Sequence, residues 1–425
     1  MRILFITANF PFPPHSGAAL KTYSVFDYLS RRHSVAAISI IRTPLTQSQE
    51  MWAAENAVQT VLINRGRSPV NLVRSYLGGR PLSVERNRSG QMKALVEEKL
   101  SAGLPDAVFI DGWLVAQYLP QWFSGLTMLH QHNAEYRLWE RESAKRGVSP
   151  SRWLAGREAS RVRKYEAKIM ARFNAVFAVS VDDARALVSI GVDRDRVHLL
   201  PNIPDPALLD LPSLSFAQSE SEIMYFGTLS WQPNIDGLER LITRILPLVR
   251  ERIPDVKLSV AGRDAPRRLI QLAERTPSVQ YVGPLEDAEP LYQRARVFAE
   301  VTQTGGGTRL KILNALARGL PTVASVAAAQ GLDILAGDHV LLARDDDALA
   351  AAIVLLLTDE NRWRIVSENG RALVRGKYVA EVAFQSLDRI LAEDEPPPDA
   401  HPGRGGGQRR GQRRGRRGGR GRRRP

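Results

Sequence analysis

Short apolar runs alternate with helix-period segments along almost the whole chain. In the first half the runs fall at 3–7, 35–41, 58–63, 107–111, 127–130 and 175–179; in the second half they fall at 223–227, 256–262, 279–282, 297–301, 322–325 and 339–343. Several lack polar alternation, the pattern of a strand covered on both faces in a parallel sheet with crossover helices. Between them, segments such as 236–252 and 349–357 carry apolar positions three and four apart, the period of a helix with one buried face. The series predicts two doubly wound α/β units in tandem. The stretch 204–220 is rich in Pro, Ser and acids and has neither period, so it predicts the boundary between a first domain at 1–205 and a second at 206–378. A last amphipathic helix at 379–394 carries Ala383, Leu387, Ile390 and Leu391 on one face and stops before Pro396-Pro397-Pro398.

Composition changes this picture in two places. The 425 residues include no cysteine, which excludes disulfides, thiolate metal sites and cysteine nucleophiles. The net charge of +14 suggests a polyanion binder until it is located. Eleven arginines and no acids fall in 404–425, and the rest of the chain holds 48 basic against 45 acidic residues, or +3. The folded part is therefore near neutral, and its chemistry is not read from overall charge. Segment 395–425 is expected to be a disordered tail, because Gly, Arg and Gln bury no core. Its charge suits an anionic membrane surface or RNA. Membrane contact is the preferred reading, with nucleic acid and a tail of no function as alternatives. No run approaches about 18 uncharged apolar residues, and the apolar start at 1–6 is too short for a secretory leader. The expectation is a cytoplasmic chain, peripheral at the inner face of the cell membrane.

The sharpest chemical signal is Gly305-Gly306-Gly307-Thr308-Arg309-Leu310-Lys311, placed where an apolar run gives way to a helical segment. Glycine lets a ligand approach the backbone. The first amides of a helix are unpaired donors at its positive end, which makes an anion site. Arg309 and Lys311 add cations to the same turn, so a negative group should compensate them, and a diphosphate is the natural candidate. The plainer reading is a glycine-rich turn with two solvated cations.

Other candidates also sit at predicted strand ends. A Pro-stiffened loop at 10–14 leads to Gly17 and Lys21. Asp111 is a lone acid of the kind that more often caps a helix. His130-Gln131-His132-Asn133-Ala134-Glu135 is a compact polar cluster; no third residue has convincing ligand spacing, so no metal is assigned. In Gly227 to Asn234, Trp231 offers an aromatic face to a nucleotide and Asn234 a cap for a helix near 236. Arg263 adds a further cation. The stretch 136–173, where Arg157, Arg161, Arg163 and Lys164 alternate with Glu140, Glu142, Glu158 and Glu166, reads as a solvated helix face. Contact with anionic headgroups is its alternative reading.

In order, Phe10-Pro11-Phe12-Pro13-Pro14 with Gly17, His132-Asn133-Ala134-Glu135, Val179-Ser180 with Asp182-Asp183, 200–205, 227–234, 305–313 and Gly331-Leu332-Asp333 resemble the family-4 retaining glycosyltransferases. The likeness is to the branch with a GGGTRLKIL-type motif and spans about 1–392. It implies a GT-B fold, two Rossmann-like domains facing a cleft, with the final helix packing back on the first. It implies a nucleoside-diphosphate sugar held mainly by the second domain and a glycan or lipid-linked acceptor by the first. It further implies retention of anomeric configuration without metal or other cofactor. By the same resemblance, Arg309 and Lys311 meet the diphosphate, Gly17 approaches it from the first domain, and His132 lies by the transferring sugar. Asn133, Glu135, Gly227, Trp231, Arg263, Gly306, Gly307, Thr308 and Asn314 complete the candidate substrate contacts. The chain departs from the wider family at Gly306 and Asn314, where two glutamates are common, and at Gln330, where an acid often stands. Weakened or altered donor binding follows from these changes. They keep two further readings open: a binding or scaffold protein on the same fold, and a nucleotide-sugar epimerase or hydrolase.

Overall fold

The computed structural model describes residues 1–14, 16–63, 69–144, 150–303 and 310–393. Among them, thirteen strands form two parallel sheets. The first contains β1 (Arg2–Thr7), β2 (Ser34–Ile41), β3 (Val58–Leu62), β4 (Ala107–Asp111), β5 (Leu126–Gln131), β6 (Ala175–Ala178) and β7 (Val197–Leu199), in the order β3-β2-β1-β4-β5-β6-β7. The second contains β8 (Glu222–Phe226), β9 (Lys257–Ala261), β10 (Val279–Gly283), β11 (Val297–Glu300), β12 (Thr322–Ser325) and β13 (Leu341–Ala343), ordered β10-β9-β8-β11-β12-β13. Both sheets therefore have the same winding. Each begins in the middle, runs to one edge, then returns to the other side of its first strand. The crevice opened by that reversal lies between β1 and β4 in one sheet and between β8 and β11 in the other, where such sheets bind ligands.

The apolar runs form strands because both faces are covered. Leu4, Ile6, Val108 and Ile110 belong to one buried cluster, while Ile3, Phe5 and Phe109 belong to another on the opposite face. β7 was not anticipated, since Val-His-Leu is too short to register as a run; it is placed by pairing with β6.

Three expectations change. The charged stretch 136–173 is two helices, Glu135–Ser143 and Pro150–Met170, and their acids do not share one solvated face. Glu158 and Glu166 are buried, with Glu166 fully excluded from solvent. The last helical segment is also two pieces, Ala380–Ala383 and Gln385–Glu393, separated at Phe384. The break lets Phe384 enter the first domain's core, edge-on to Tyr28 at 5.0 Å, while the Tyr28 hydroxyl donates to Asp388 at 2.6 Å. Third, Asn234 does not cap its helix, which starts at Gln232 after Trp231. Segment 395–425 lies outside the described residues.

Candidate functional site

Register builds the first half of the site. Asp111, at the carboxyl end of β4, is paired with Thr7 on β1 and His130 on β5. Its side chain is completely buried and serves four neighbours. Oδ1 lies 3.0 Å from His130 Nδ1 and 2.6 Å from His132 Nε2; Oδ2 accepts from Thr7 Oγ1 at 3.0 Å and Thr22 Oγ1 at 2.6 Å. Asp111 is thus not the helix cap that a lone acid suggests. Nor do the two histidines lack a third ligand-type group, since Asp111, His130 and His132 present donor atoms within 4.8 Å of one another. Sequence spacing missed this because the strands, not the loops, bring the acid to the rings. Both rings approach one carboxylate oxygen, and the buried His130 Nε2 has no hydrogen-bond partner among the described residues.

Burial alone would raise the Asp111 carboxyl, but the charge of His132 and the bonds from both rings hold it well below the ordinary range. Burial drives His130 down from its ordinary 6.5 to about 4, against the pull of Asp111. The sign of the stability effect follows. A histidine with a lowered folded pKa stabilises fully above its unfolded pKa, and that contribution disappears as pH falls from 6.5 toward 4. Glu166, which burial and the charge of Glu135 push up to about 8, acts in the opposite sense and loses its contribution as pH rises. The difference between wild type and His130→Phe isolates the histidine. Denaturant titration should show wild type losing on the order of 3 kcal/mol more than the variant between pH 6.5 and 4. Parallel curves would refute the assignment.

The turn carrying His132, Asn133 and Glu135 is held from beneath by Glu166. Its carboxylate accepts from Gln131 Nε2 at 2.8 Å and from the backbone N–H groups of Glu135 and Tyr136 at 3.0 Å each. Those amides begin the helix Glu135–Ser143, so Glu166 caps it from another helix. Asp183 adds an acceptor for Ala134 N–H at 3.1 Å. Burial raises the Glu135 carboxyl against the bond from Asn133 and the charges of His132 and Lys21. Lys21, which on local evidence reads as a surface cation, is therefore an electrostatic neighbour of this cluster.

The second half of the site occupies the equivalent crevice. Gly262 must be glycine, because a Cβ there would stand 2.0 Å from the Gly227 carbonyl oxygen; the loops after β8 and β9 cross at that point. Asn234 is buried. It donates through Nδ2 to Thr228 O at 2.8 Å and accepts from Lys311 Nζ at 3.0 Å through Oδ1. Lys311 also ion-pairs with Glu300, the last residue of β11, and its ammonium lies 4.8 Å from the centre of the Tyr225 ring. The negative group compensating Lys311 here is thus Glu300, a fully buried carboxylate that itself requires a partner. Asn314 accepts from the backbone N–H of Asp205 at 3.1 Å, which ties the helix Leu310–Arg318 to the segment joining the domains. Trp231 and Arg263 are exposed, and the Arg263 carbonyl accepts from Leu229 N–H at 2.8 Å. Gly305, Gly306, Gly307, Thr308 and Arg309 lie outside the described residues.

The two halves meet. A Cβ on Gly17 would lie 3.6 Å from Leu310, and Leu20 shares a buried cluster with Leu310 and Ile312. The first turns of the helices Gly17–Ser30 and Leu310–Arg318 are therefore in contact. Further along, Asn133, Arg137 and Asp183 line one cavity with Gln330 and Gly331.

Two domains of this winding have counterparts among known proteins, and 220–359 matches the family described as Glycosyl transferases group 1. The fold of the chain is GT-B, two Rossmann-like domains with parallel sheets. A glycosyltransferase from Rickettsia africae superposes with a TM-score of 0.64 at 14% identity, covering 92% of this chain and 98% of that one. HepE of Anabaena, in complex with UDP, gives 0.63 at 15%, covering 92% and 100%. WaaG, a glycosyltransferase involved in lipopolysaccharide biosynthesis, gives 0.64 at 14%, covering 91% and 99%. An uncharacterized 44.6 kDa protein in the cps region of Klebsiella pneumoniae is 20% identical over 172 residues, 39% of this chain; the chain matches 44% of that relative's length. The stretch that matches this family contains Gly227, Asn234, Glu300 and Lys311, whereas the histidine cluster precedes it in sequence.

Proposed function

We propose that this chain transfers a sugar from a nucleoside-diphosphate sugar to a glycan or lipid-linked acceptor, with retention and without a metal, in the manner of the family-4 enzymes. The supporting observation is the shared placement of the two polar clusters. Each lies at the reversal point of its own sheet, and the helix starts beside them touch. As the glycosidic bond breaks, negative charge grows on the diphosphate. Lys311, steadied by Asn234, and the amides at the start of its helix supply fixed positive charge there. His132 bonds Asp111 through Nε2, which leaves Nδ1 as the ring atom for the transferring sugar or the acceptor. Closure of the domains excludes water that would hydrolyse the donor. HepE was captured with UDP-glucose, which makes UDP-sugars the first donors to test. The involvement of WaaG in lipopolysaccharide and the cps setting of the Klebsiella relative favour an envelope glycan as product. Asn314, with its carbonyl engaged by Asp205, meets a donor ribose without a carboxylate's charge, so donor binding is weaker than a glutamate would give.

Calorimetry with UDP and GDP, with and without EDTA, tests this reading. Saturable binding of one nucleotide, unchanged by EDTA, is expected, followed by transfer whose product keeps the donor's anomeric configuration by NMR. Binding that requires a divalent ion, or inversion of the product, would overturn it.

A further inference from the structure

The helix Pro69–Leu77 is packed inside out. Leu72, Val73, Tyr76 and Leu77 fall on one stripe at helical spacing, and all four are exposed, Leu77 by 84%. The buried residue is a serine. Ser75 has no solvent exposure; its hydroxyl donates to Arg80 O at 2.7 Å, and Arg161 donates to its carbonyl and hydroxyl oxygens at 2.6 and 2.9 Å. Arg161 thus pins the polar side of this helix to the long helix Pro150–Met170. On that helix, Trp153 and Leu154 are also exposed, at 65% and 39%. A helix on the surface of a globular protein normally hides its apolar stripe. Of this one, among the described residues, only Tyr76 has a charged neighbour, the Arg161 guanidinium 4.4 Å from its ring, and an exposed stripe of this kind marks an interaction surface.

The charge around the stripe indicates which partner. Segment 70–90 holds four arginines, Arg74, Arg80, Arg86 and Arg88, against one acid, Glu85. That acid is buried and paired with Arg80 at 3.6 Å and Arg88 at 3.7 Å, so it contributes little negative surface. A second copy of the chain would set this cationic segment against itself, which opposes a symmetric dimer through the stripe. An anionic bilayer satisfies both features, with headgroup charge for the arginines and the acyl boundary for the stripe. We propose that the helix Pro69–Leu77, with the exposed Trp153 and Leu154 of the helix to which Arg161 pins it, is the surface by which this chain docks on anionic membrane. The arginines of 404–425 add a second, purely electrostatic contact. Two weak anchors together bind more tightly than either does alone.

Vesicle flotation of the full chain tests this, using phosphatidylcholine alone and phosphatidylcholine mixed with phosphatidylglycerol. Wild type should float with the mixed vesicles only. The Val73→Asp/Leu77→Asp variant should bind them about tenfold or more weakly, with its circular dichroism and melting temperature unchanged. A milder pair, Leu72→Ser/Tyr76→Ser, provides the same reading if the first variant misfolds. Deletion of 403–425 should weaken binding and steepen its dependence on the stripe. The proposal fails if the stripe variants bind like wild type, if the deletion alone abolishes binding, or if wild type is a dimer that the stripe variants convert to monomer.

Discussion

Lys311→Ala is expected to lower kcat/KM for sugar transfer by about 10²–10³-fold, the loss typical of removing one preorganised donor to a developing oxyanion. The variant carries a second cost that must be separated from the first. Glu300 is fully buried, and Lys311 is its ion-pair partner. Removing the lysine strands a buried carboxylate, a loss of about 3–5 kcal/mol in folding stability. Glu300→Gln in the same chain removes the stranded charge. The Lys311→Ala/Glu300→Gln double variant should therefore regain most of the stability in a denaturant titration and none of the transfer rate. That split is diagnostic, because a purely structural lysine would recover activity together with stability. Should the double variant turn over within a few-fold of wild type, Lys311 is not an electrostatic catalyst. Glu300→Gln alone leaves the ammonium without its internal partner but still bonded to Asn234; diphosphate affinity should then rise, since the anion no longer competes with a carboxylate.

How much of this was legible in the sequence depends on the range of each interaction. Strand runs are local, and β4, Ala107–Asp111, and β12, Thr322–Ser325, lie at the positions that periodicity alone assigns. The winding is also legible, because alternation of strands and helices permits few alternatives. Lys311 stood out from its place beside three glycines. Its partner did not, since Glu300 looks like any residue closing a buried strand. Asp111 illustrates the same limit more strongly: its partners Thr7, Thr22, His130 and His132 come from both sides of it, up to 104 residues away, and only strand register gathers them. Glu166 was hidden for another reason. Its helix alternates acids and bases evenly enough to read as solvated, whereas the helix Glu135–Ser143 lying against it turns that face inward and gives the carboxylate two N–H donors, with a third from Gln131 of β5. A signal existed for Asp111: an acid ending a wholly apolar strand is costly to bury unless several donors meet it.

Asp111→Ala should lower kcat by about 10²–10⁴-fold through the histidine it orients, the range seen when an outer carboxylate of such a pair is lost. The residue is a positioning residue, since its own oxygens are occupied by two rings and two threonine hydroxyls. A role in positioning makes a particular division of effects. On the proposed reading, in which the second domain holds the nucleotide, UDP affinity should remain within a few-fold of wild type while kcat falls. Asp111→Asn keeps the shape and one acceptor but presents an N–H₂ group to part of a ring of donors, so it should recover fold stability further than activity. In a double-mutant cycle, adding His132→Ala to Asp111→Ala should cost little beyond either change alone, because both remove the same oriented imidazole. Fully additive losses, or a fall in UDP affinity that accounts for the whole effect, would show that the carboxylate does not act through His132. Folding should suffer in either case. The alanine leaves His130 Nδ1 and the Thr7 and Thr22 hydroxyls in a buried site without the acceptor they share, at about 1–3 kcal/mol for each group left unsatisfied. The rate must therefore be measured below the temperature at which the variant begins to melt, and only then does the kcat ratio report geometry rather than the fraction folded.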